Sequence, residues 1–210
     1  MDELFSSKKL GVDPKFISHT SAEILSTTRE CFDYCARDVL ECVVEPGMHD
    51  IEFTNRVRNG KVKVYFPFFK KQLSKDEAFS KLKIINRPFH DHLYSLATKM
   101  EENELIPKTN FILGGIIQIA KMVNEKKHSR LVQITSETEQ GLVIDSPSVR
   151  LMMPIKEQVG WNVIRVSPGM EVMKTKEFRF EYNNEEVAHF CMFATKATAF
   201  VLDEIYRSFF

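Results

Sequence analysis

The sequence lacks a long apolar run and an obvious export signal. Its longest apolar stretch, FILGGII at 111–117, extends with interruptions only to Val123, whereas a membrane-spanning helix needs about 20 apolar residues. The opening MDELFSSKKLGVD has no basic segment followed by an apolar one, the pattern that is typical of a secretory signal. We therefore predict no membrane association and a cytoplasmic location, with the nucleus as the alternative.

Cysteine is also scarce, with 4 in 210 residues. Cys31, Cys35 and Cys42 lie too close together for a disulfide framework, so a reducing compartment is expected. Their spacing places them on one stripe of a helix. A structural zinc site needs four ligands, and Cys191 is far away in sequence. We interpret the stripe as core and predict no metal and no cofactor.

The chain has no excess of either charge, since 29 Lys and Arg balance 29 Asp and Glu. Overall charge therefore indicates neither a polyanion nor a membrane as partner. Hydrophobic residues make up 43% and charged residues 28%, which is typical of a globular protein. We predict a single domain over residues 1–210, with a loosely ordered N-terminal segment at 1–19.

Strong catalytic and nucleotide-binding motifs are missing as well. Gly114-Gly115 has no third glycine and no following Lys-Ser/Thr, so it is not a phosphate loop. No Gly-x-Ser-x-Gly elbow is present. We interpret the glycine pair as a place where a neighbouring element approaches closely, and the sequence identifies no small-molecule substrate.

Helical periodicity is clear in the first half of the chain. The pattern predicts helices at about 20–44, 74–84, 88–103 and 111–125, and a last one at about 196–208. A Ser74–Glu77 capping box opens the second helix, and Asn86 and Pro88 open the third. The fourth is apolar on most sides, which predicts a buried central helix.

The segment IEFTNRVRNGKVKVYFPFF, residues 51–69, has the strongest strand-like pattern. Apolar and polar residues alternate on both sides of Asn59-Gly60, which predicts a β-hairpin closed by a type I′ turn. In that hairpin Val57 and Val62 take one face. The other face gathers four cations, which are Arg56, Arg58, Lys61 and Lys63.

After residue 130 the sequence becomes rich in short β-branched and aromatic segments. They are RLVQITS, GLVIDS, SVRLMMPI, WNVIRVS, EFRFEY and VAHFCMFA, and Asn183-Asn184 is predicted to turn the last two into a second hairpin. One long helix from Glu185 onward is the alternative for the last segment. We predict an α+β fold, a mostly antiparallel β-sheet with helices packed on one side, helix-rich in the N-terminal half and strand-rich in the C-terminal half.

The stretch RPFHDHL, residues 87–93, looks like a metal site because two histidines flank an aspartate. On a helix, however, His90 and His92 project about 200° apart, so they cannot hold the same ion. Asp91 in a first turn is expected without any metal, because it faces the positive end of the helix dipole. The pattern favours a helix start.

A metal-dependent phosphodiester hydrolase remains the alternative function. Such a nuclease would use His90 or His92 with Asp145 and Glu157. The two acids lie on different predicted strands, and neither shows the acid-x-Lys spacing that would place an acid and a lysine on one strand face.

The charge distribution is uneven despite the overall balance. Between Arg56 and Arg87 there are ten cations and two anions, a net charge of +8. We predict a non-enzymatic binding and assembly protein whose basic hairpin contacts an anionic partner, preferably RNA or single-stranded DNA. The predicted binding residues are Arg56, Arg58, Lys61, Lys63, Tyr65, Lys70 and Lys71, with Tyr65 as a stacking residue.

The same gradient permits self-association, because a surface with a charge of +8 complements one with a charge of −8. A scaffold that forms a homo-oligomer through such surfaces is therefore a third prediction. The alternative is a basic surface without a binding function, which is either solvated or neutralised by the chain's own acids.

Overall fold

The protein is mostly helical. The computed structural model describes residues 13–107, 109, 111–126, 133–145, 150–155 and 170–210. Helices occupy most of these residues, and the strands form one sheet of three. The predicted α+β fold, built on a mostly antiparallel sheet, is therefore wrong. No helix among the described residues is long and apolar enough to cross a membrane.

The helices, in chain order, have the following bounds. They are α1 (Pro14–Asp38), a π-helix (Val39–Val44), α2 (Glu45–Met48), α3 (Ile51–Arg58), α4 (Lys70–Lys75), α5 (Glu77–Ile85), α6 (Arg87–Glu101), α7 (Gly114–Lys126) and α8 (Val187–Phe209).

The sheet consists of β1 (Ile134–Asp145), β2 (Arg150–Ile155) and β3 (Met170–Phe180), with β1 in the centre. Both pairings are antiparallel, with Gln140 opposite Ile155 on one side and opposite Lys174 on the other. The predicted segments RLVQITS and GLVIDS thus contribute to one continuous strand. WNVIRVS, residues 161–167, lies outside the described residues.

The structure divides into two compact units. One contains the described residues up to Ser21 and those between 131 and 190, including the sheet, and the other comprises Ala22–Arg130 and Cys191–Phe210. The single domain stays a prediction. In the predicted loose segment, residues 1–12 lie outside the described residues, and α1 already begins at Pro14.

The predicted hairpin at residues 51–69 is wrong, because Ile51–Arg58 is a helix. The Asn59-Gly60 pair ends this helix instead of forming a type I′ turn. Gly60 has a φ of 65°, whereas Asn59 has a φ of −84°. The backbone N–H of Lys61 donates to the carbonyl oxygen of Arg56 at 2.9 Å. This is the Schellman arrangement, in which a left-handed glycine satisfies the last carbonyls of a helix.

Residues 61–69 follow as a segment that is neither helix nor strand. Its second half is held against α1. The N–H of Phe66 donates to the Asp33 carboxylate at 3.2 Å, and the rings of Phe66 and Phe68 pack against Phe32 with centroids 4.7 and 5.3 Å apart. Phe32, Phe66 and Phe68 are all buried, so apolar burial fixes this part of the chain.

The predicted strand VAHFCMFA and the predicted hairpin at Asn183-Asn184 are also wrong. Val187–Phe209 forms one continuous helix, in agreement with the alternative. Buried residues recur along it with helical spacing at Val187, Phe190, Cys191 and Ala194. The turn after β3 leads into α8, and Asn184 adopts a left-handed φ of 58° there.

Polar caps separate the three consecutive helices α4, α5 and α6. The Asp76 carboxylate accepts hydrogen bonds from the N–H groups of Ala78 and Phe79 at the start of α5. The Asn86 side chain accepts from the N–H of Phe89 at the start of α6, so the predicted start of this helix is confirmed. Each cap satisfies N–H groups that a helix start leaves without partners, which fixes where one helix ends and the next begins.

Helix α7 is mostly buried, as predicted, with Ile116, Ile119 and Met122 at its core. A Cβ atom added to Gly115 would lie 2.4 Å from the ring of Phe193 on α8. The close approach predicted for the glycine pair is therefore confirmed at Gly115.

The cysteine stripe is only partly core. Cys35 is buried, Cys31 is half-buried and Cys42 is exposed. Cys42 departs from the prediction because it lies on the π-helix, where the spacing differs from that of an α-helix.

Candidate anion-binding cleft

Helices α4, α5 and α6 border a cleft of about 500 Å³ that is lined by basic and hydroxyl side chains. Its lining residues are Lys70, Lys71, Leu73, Ser74, Ser80, Lys83, His90 and Tyr94. Three of them are lysines, and none is a carboxylate. The volume lies in the range of about 300–1,000 Å³ that is usual for ligand sites.

Lys70 is held in place by an acid that does not line the cleft. Its ammonium lies 3.2 Å from Glu101, and its backbone N–H donates to the same carboxylate at 2.8 Å. The hydrogen bond to Glu101 raises the pKa of Lys70. Lys70 therefore stays charged at neutral pH, but part of its field is already neutralised.

Lys71 and Lys83 are exposed. No ion pair joins either of them to a residue that the structure describes. Two of the three lysines thus contribute uncompensated positive charge to the cleft. Such charge attracts anions over about a Debye length, 8 Å at physiological ionic strength.

Hydroxyl groups add hydrogen-bonding capacity between the lysines. Ser74 donates to the carbonyl oxygen of Lys71 at 3.1 Å, and Ser80 donates to that of Glu77 at 2.9 Å. Each hydroxyl oxygen keeps lone pairs, and each hydrogen can turn towards a ligand oxygen.

His90 and Tyr94 lie one turn apart on α6 and form the opposite wall. His90 is buried, and its Nδ1 lies 3.3 Å from the Asp91 carboxylate, which orients the ring. Tyr94 is 49% exposed, so much of its ring is open to solvent. The cleft therefore combines cations with an accessible aromatic surface.

The seven predicted binding residues do not share one surface. Lys70 and Lys71 line the cleft just described. Arg56 and Lys61 line a second depression, and Arg58, Lys63 and Tyr65 line a third. The predicted grouping depended on strand alternation, whereas a helix sends successive side chains in different directions.

The two arginines of the predicted set are paired with acids of the same chain. Arg56 donates two hydrogen bonds to Glu77, at 3.0 and 2.8 Å, and these bonds raise the pKa of Arg56. Arg58 lies 3.5 Å from Glu45. Both acids are close in space but distant in sequence, so the charge count alone did not reveal the pairing.

Lys83 and Tyr94 were missed as site residues of the cleft, and His90 was considered only as a metal ligand of the hydrolase alternative. Lys83 was counted in the basic window without being assigned a role. His90 and Tyr94 were detectable as a pair, because positions four apart share one helix face. Placing that face opposite the start of α4 required the packing of three short helices.

The two histidines of RPFHDHL have separate surroundings, as predicted for a helix. His90 faces the cleft, whereas Nε2 of His92 lies 3.8 Å from Glu204 and its ring lies 5.1 Å from that of Phe209. Among the described residues no three His, Cys, Asp or Glu side chains are grouped as a metal site.

The carboxyl groups of Asp145 and Glu157, the acids of the hydrolase alternative, lie outside the described part of the structure. Asp145 is the last residue of β1, but its side chain is outside what the structure describes, and so is all of Glu157. The hydrolase therefore stays a prediction.

Comparison with protein-family models found no match, and comparisons with curated proteins and with solved structures found none either.

Proposed function

We propose that the cleft bordered by α4, α5 and α6 binds the phosphate groups of a single-stranded nucleic acid, RNA or DNA. One observation carries the proposal: Lys70, Lys71 and Lys83 line one cleft together with the half-exposed ring of Tyr94, and no carboxylate lines it. Lysines bind phosphates, and an exposed aromatic ring stacks on an unpaired base.

The cleft favours a single strand because its cations and its aromatic ring are close together. Unstacked bases are accessible only in single strands, where stacking on an aromatic side chain contributes about 1–3 kcal/mol per base. In this proposal, Tyr94 stacks on an unpaired base. Tyr65, which the sequence suggested, is 55% exposed but lines a different depression.

Fluorescence anisotropy with labelled single-stranded oligonucleotides tests the proposal. The probes are a 12-nucleotide RNA and a DNA of the same sequence, titrated with protein between 50 and 200 mM salt. Each lysine–phosphate contact in a single strand contributes about 0.7 to the slope of log affinity against log salt. The Lys71→Ser/Lys83→Ser double variant should therefore reduce the slope by about 1.4.

Lys99→Ser/Lys121→Ser is the matched control. Both lysines are exposed, lie on α6 and α7, and do not line the cleft. The control removes the same two charges and should keep nearly all of the affinity. Equal losses in the two double variants, or no binding of either oligonucleotide at 50 mM salt, would overturn the proposal.

A non-enzymatic role in the cytoplasm and self-association remain part of the proposal. Sedimentation velocity across the same salt series measures the latter. An oligomer joined by opposite charges should dissociate as salt screens them, whereas a sedimentation coefficient that does not change with salt argues against it.

A further inference from the structure

Within the segment at residues 61–69, four consecutive residues have backbone groups without hydrogen-bond partners. Among the described residues, no hydrogen bond involves the backbone N–H or carbonyl groups of Val62, Lys63, Val64 or Tyr65. These residues are not at a chain end. They lie between the Schellman end of α3 and the buried aromatic anchor at Phe66, which fix both sides of the segment.

The side chains of this stretch alternate as they do in a β-strand. Lys61, Lys63 and Tyr65 are exposed, whereas Val62 and Val64 are half-buried. A period of two in exposure is the strand period. The segment thus resembles an edge strand that lacks a neighbour, and unpaired edges of this kind accept an additional strand.

A depression of about 480 Å³ runs beside the segment. Its apolar lining comes from Leu40, Val57, Val62 and Val64, and its charged lining comes from Arg37, Glu41, Arg58 and Lys63. Three of these charges are positive and one is negative. Arg58 is partly neutralised by Glu45, but no ion pair joins Arg37 or Lys63 to a described residue.

We propose that Lys61–Tyr65 is a docking edge for an extended acidic peptide, which adds as a β-strand to the free backbone groups of residues 62–65. Alternate apolar side chains of the peptide would lie beside Val62 and Val64. The intervening carboxylates would lie beside Lys61 and Lys63, and opposite charges on neighbouring strands stabilise the pairing. This surface shares no lining residue with the basic cleft, so the inference is independent of nucleic-acid binding.

The positive charges of Lys61 and Lys63 favour an acidic peptide over a second copy of this chain as the partner. Antiparallel pairing of two copies centred on Lys63 would place the two Lys63 side chains opposite each other, with Lys61 of each copy nearby. Like charges directly opposite each other destabilise a strand pair. An acidic partner removes that repulsion and adds attraction.

The test uses a blocked hexapeptide of alternating glutamate and valine, labelled with a fluorophore, and the full chain. We expect binding that weakens at least tenfold in the Lys61→Ser/Lys63→Ser variant. The same peptide with N-methyl groups on alternate residues keeps its charge but loses one edge of N–H groups, and it should also bind at least tenfold more weakly. Unchanged affinity of the N-methylated peptide would overturn strand addition.

Hydrogen exchange supplies the second measurement. Bound peptide should slow exchange of the amides of residues 62–65, whereas those of residues 87–101 should not change. Lys99→Ser/Lys121→Ser is again the control and should bind the hexapeptide normally. If the hexapeptide leaves these amides unprotected, or if a single-stranded RNA protects them to the same degree, the proposal of a peptide edge is wrong.

Discussion

The carboxylate of Asp33, on α1, accepts a hydrogen bond from the backbone N–H of Phe66 at 3.2 Å. The same carboxylate pairs with the guanidinium of Arg29, one turn earlier on the helix. The Arg29 side chain is only 12% exposed, and its guanidinium carbon lies 4.6 Å from the centre of the Phe68 ring. One acid thus joins α1 to the segment that leads from α3 to the basic cleft.

Replacing Asp33 by Ala should lower the free energy of unfolding by about 3 kcal/mol, because it leaves the largely buried Arg29 without its counter-ion. Asp33→Asn keeps an acceptor for the N–H of Phe66, so its free energy of unfolding should fall by less than that of Asp33→Ala. Urea unfolding of both variants measures the difference. A loss below about 0.5 kcal/mol for Asp33→Ala, the range of neutral surface changes, would contradict this role.

The Asp76 cap gives a prediction about pH. Burial is the main cause that raises the pKa of Asp76, while the N–H groups of Phe79 and Ala78 lower it. The folded state therefore holds the Asp76 proton more tightly than the unfolded chain does, so this group's contribution to stability falls as pH rises above about 3.9. It becomes constant above the raised pKa.

Asp76→Asn keeps a capping oxygen and cannot ionise. Its stability relative to the unmodified protein should therefore improve as pH rises from 4 to 7, measured by urea unfolding at each pH. Asp76→Ala removes the cap and should lose about 1 kcal/mol at pH 7. If the unfolding free energies of Asp76→Asn and of the unmodified protein differ by a constant amount over this pH range, the ionisation of Asp76 is not coupled to folding.

The sequence predicted the start of α6, but the predicted Ser74–Glu77 capping box is wrong, because Ser74 lies within α4 and Asp76 caps α5. Asn86 and Pro88 marked the start of α6 because capping is local chemistry. Asn59-Gly60 was misinterpreted because a glycine with positive φ serves both hairpin turns and helix ends. Asp50 was the available signal, since its carboxylate caps α3 by accepting from the N–H groups of Glu52 and Phe53.

The C-terminal region shows the same conflict between local preference and longer-range pattern. β-branched and aromatic residues in VAHFCMFA favour a strand locally. Burial with helical spacing continues through Ala197, Val201 and Ile205, and that longer period was the better guide. The cleft itself was beyond sequence reasoning, because its lysines come from two short helices whose packing no local pattern specifies.

The contact between α7 and α8 depends on the absence of a side chain at Gly115. An added Cβ would lie 2.4 Å from Cε1 and Cζ of Phe193. Gly115→Ala should therefore destabilise the protein by about 1–3 kcal/mol, although alanine is the better helix former by about 1 kcal/mol. In the Phe193→Leu variant, Gly115→Ala should lower the stability by much less. Thermal unfolding of the four proteins in this cycle measures the coupling, and additive losses would argue against direct contact.

The cysteines should differ sharply in reactivity. Cys42 is exposed, whereas Cys35 is buried, and burial together with the charge of Asp38 raises the pKa of Cys35 to about 12. Because the thiolate is the reactive form, iodoacetamide at pH 7.5 should label Cys42 rapidly in the folded protein and Cys35 only after unfolding in urea. Peptide mass spectrometry over a time course gives both rates. Labelling of Cys35 in the folded protein at a rate similar to that of Cys42 would contradict the placement of these two thiols.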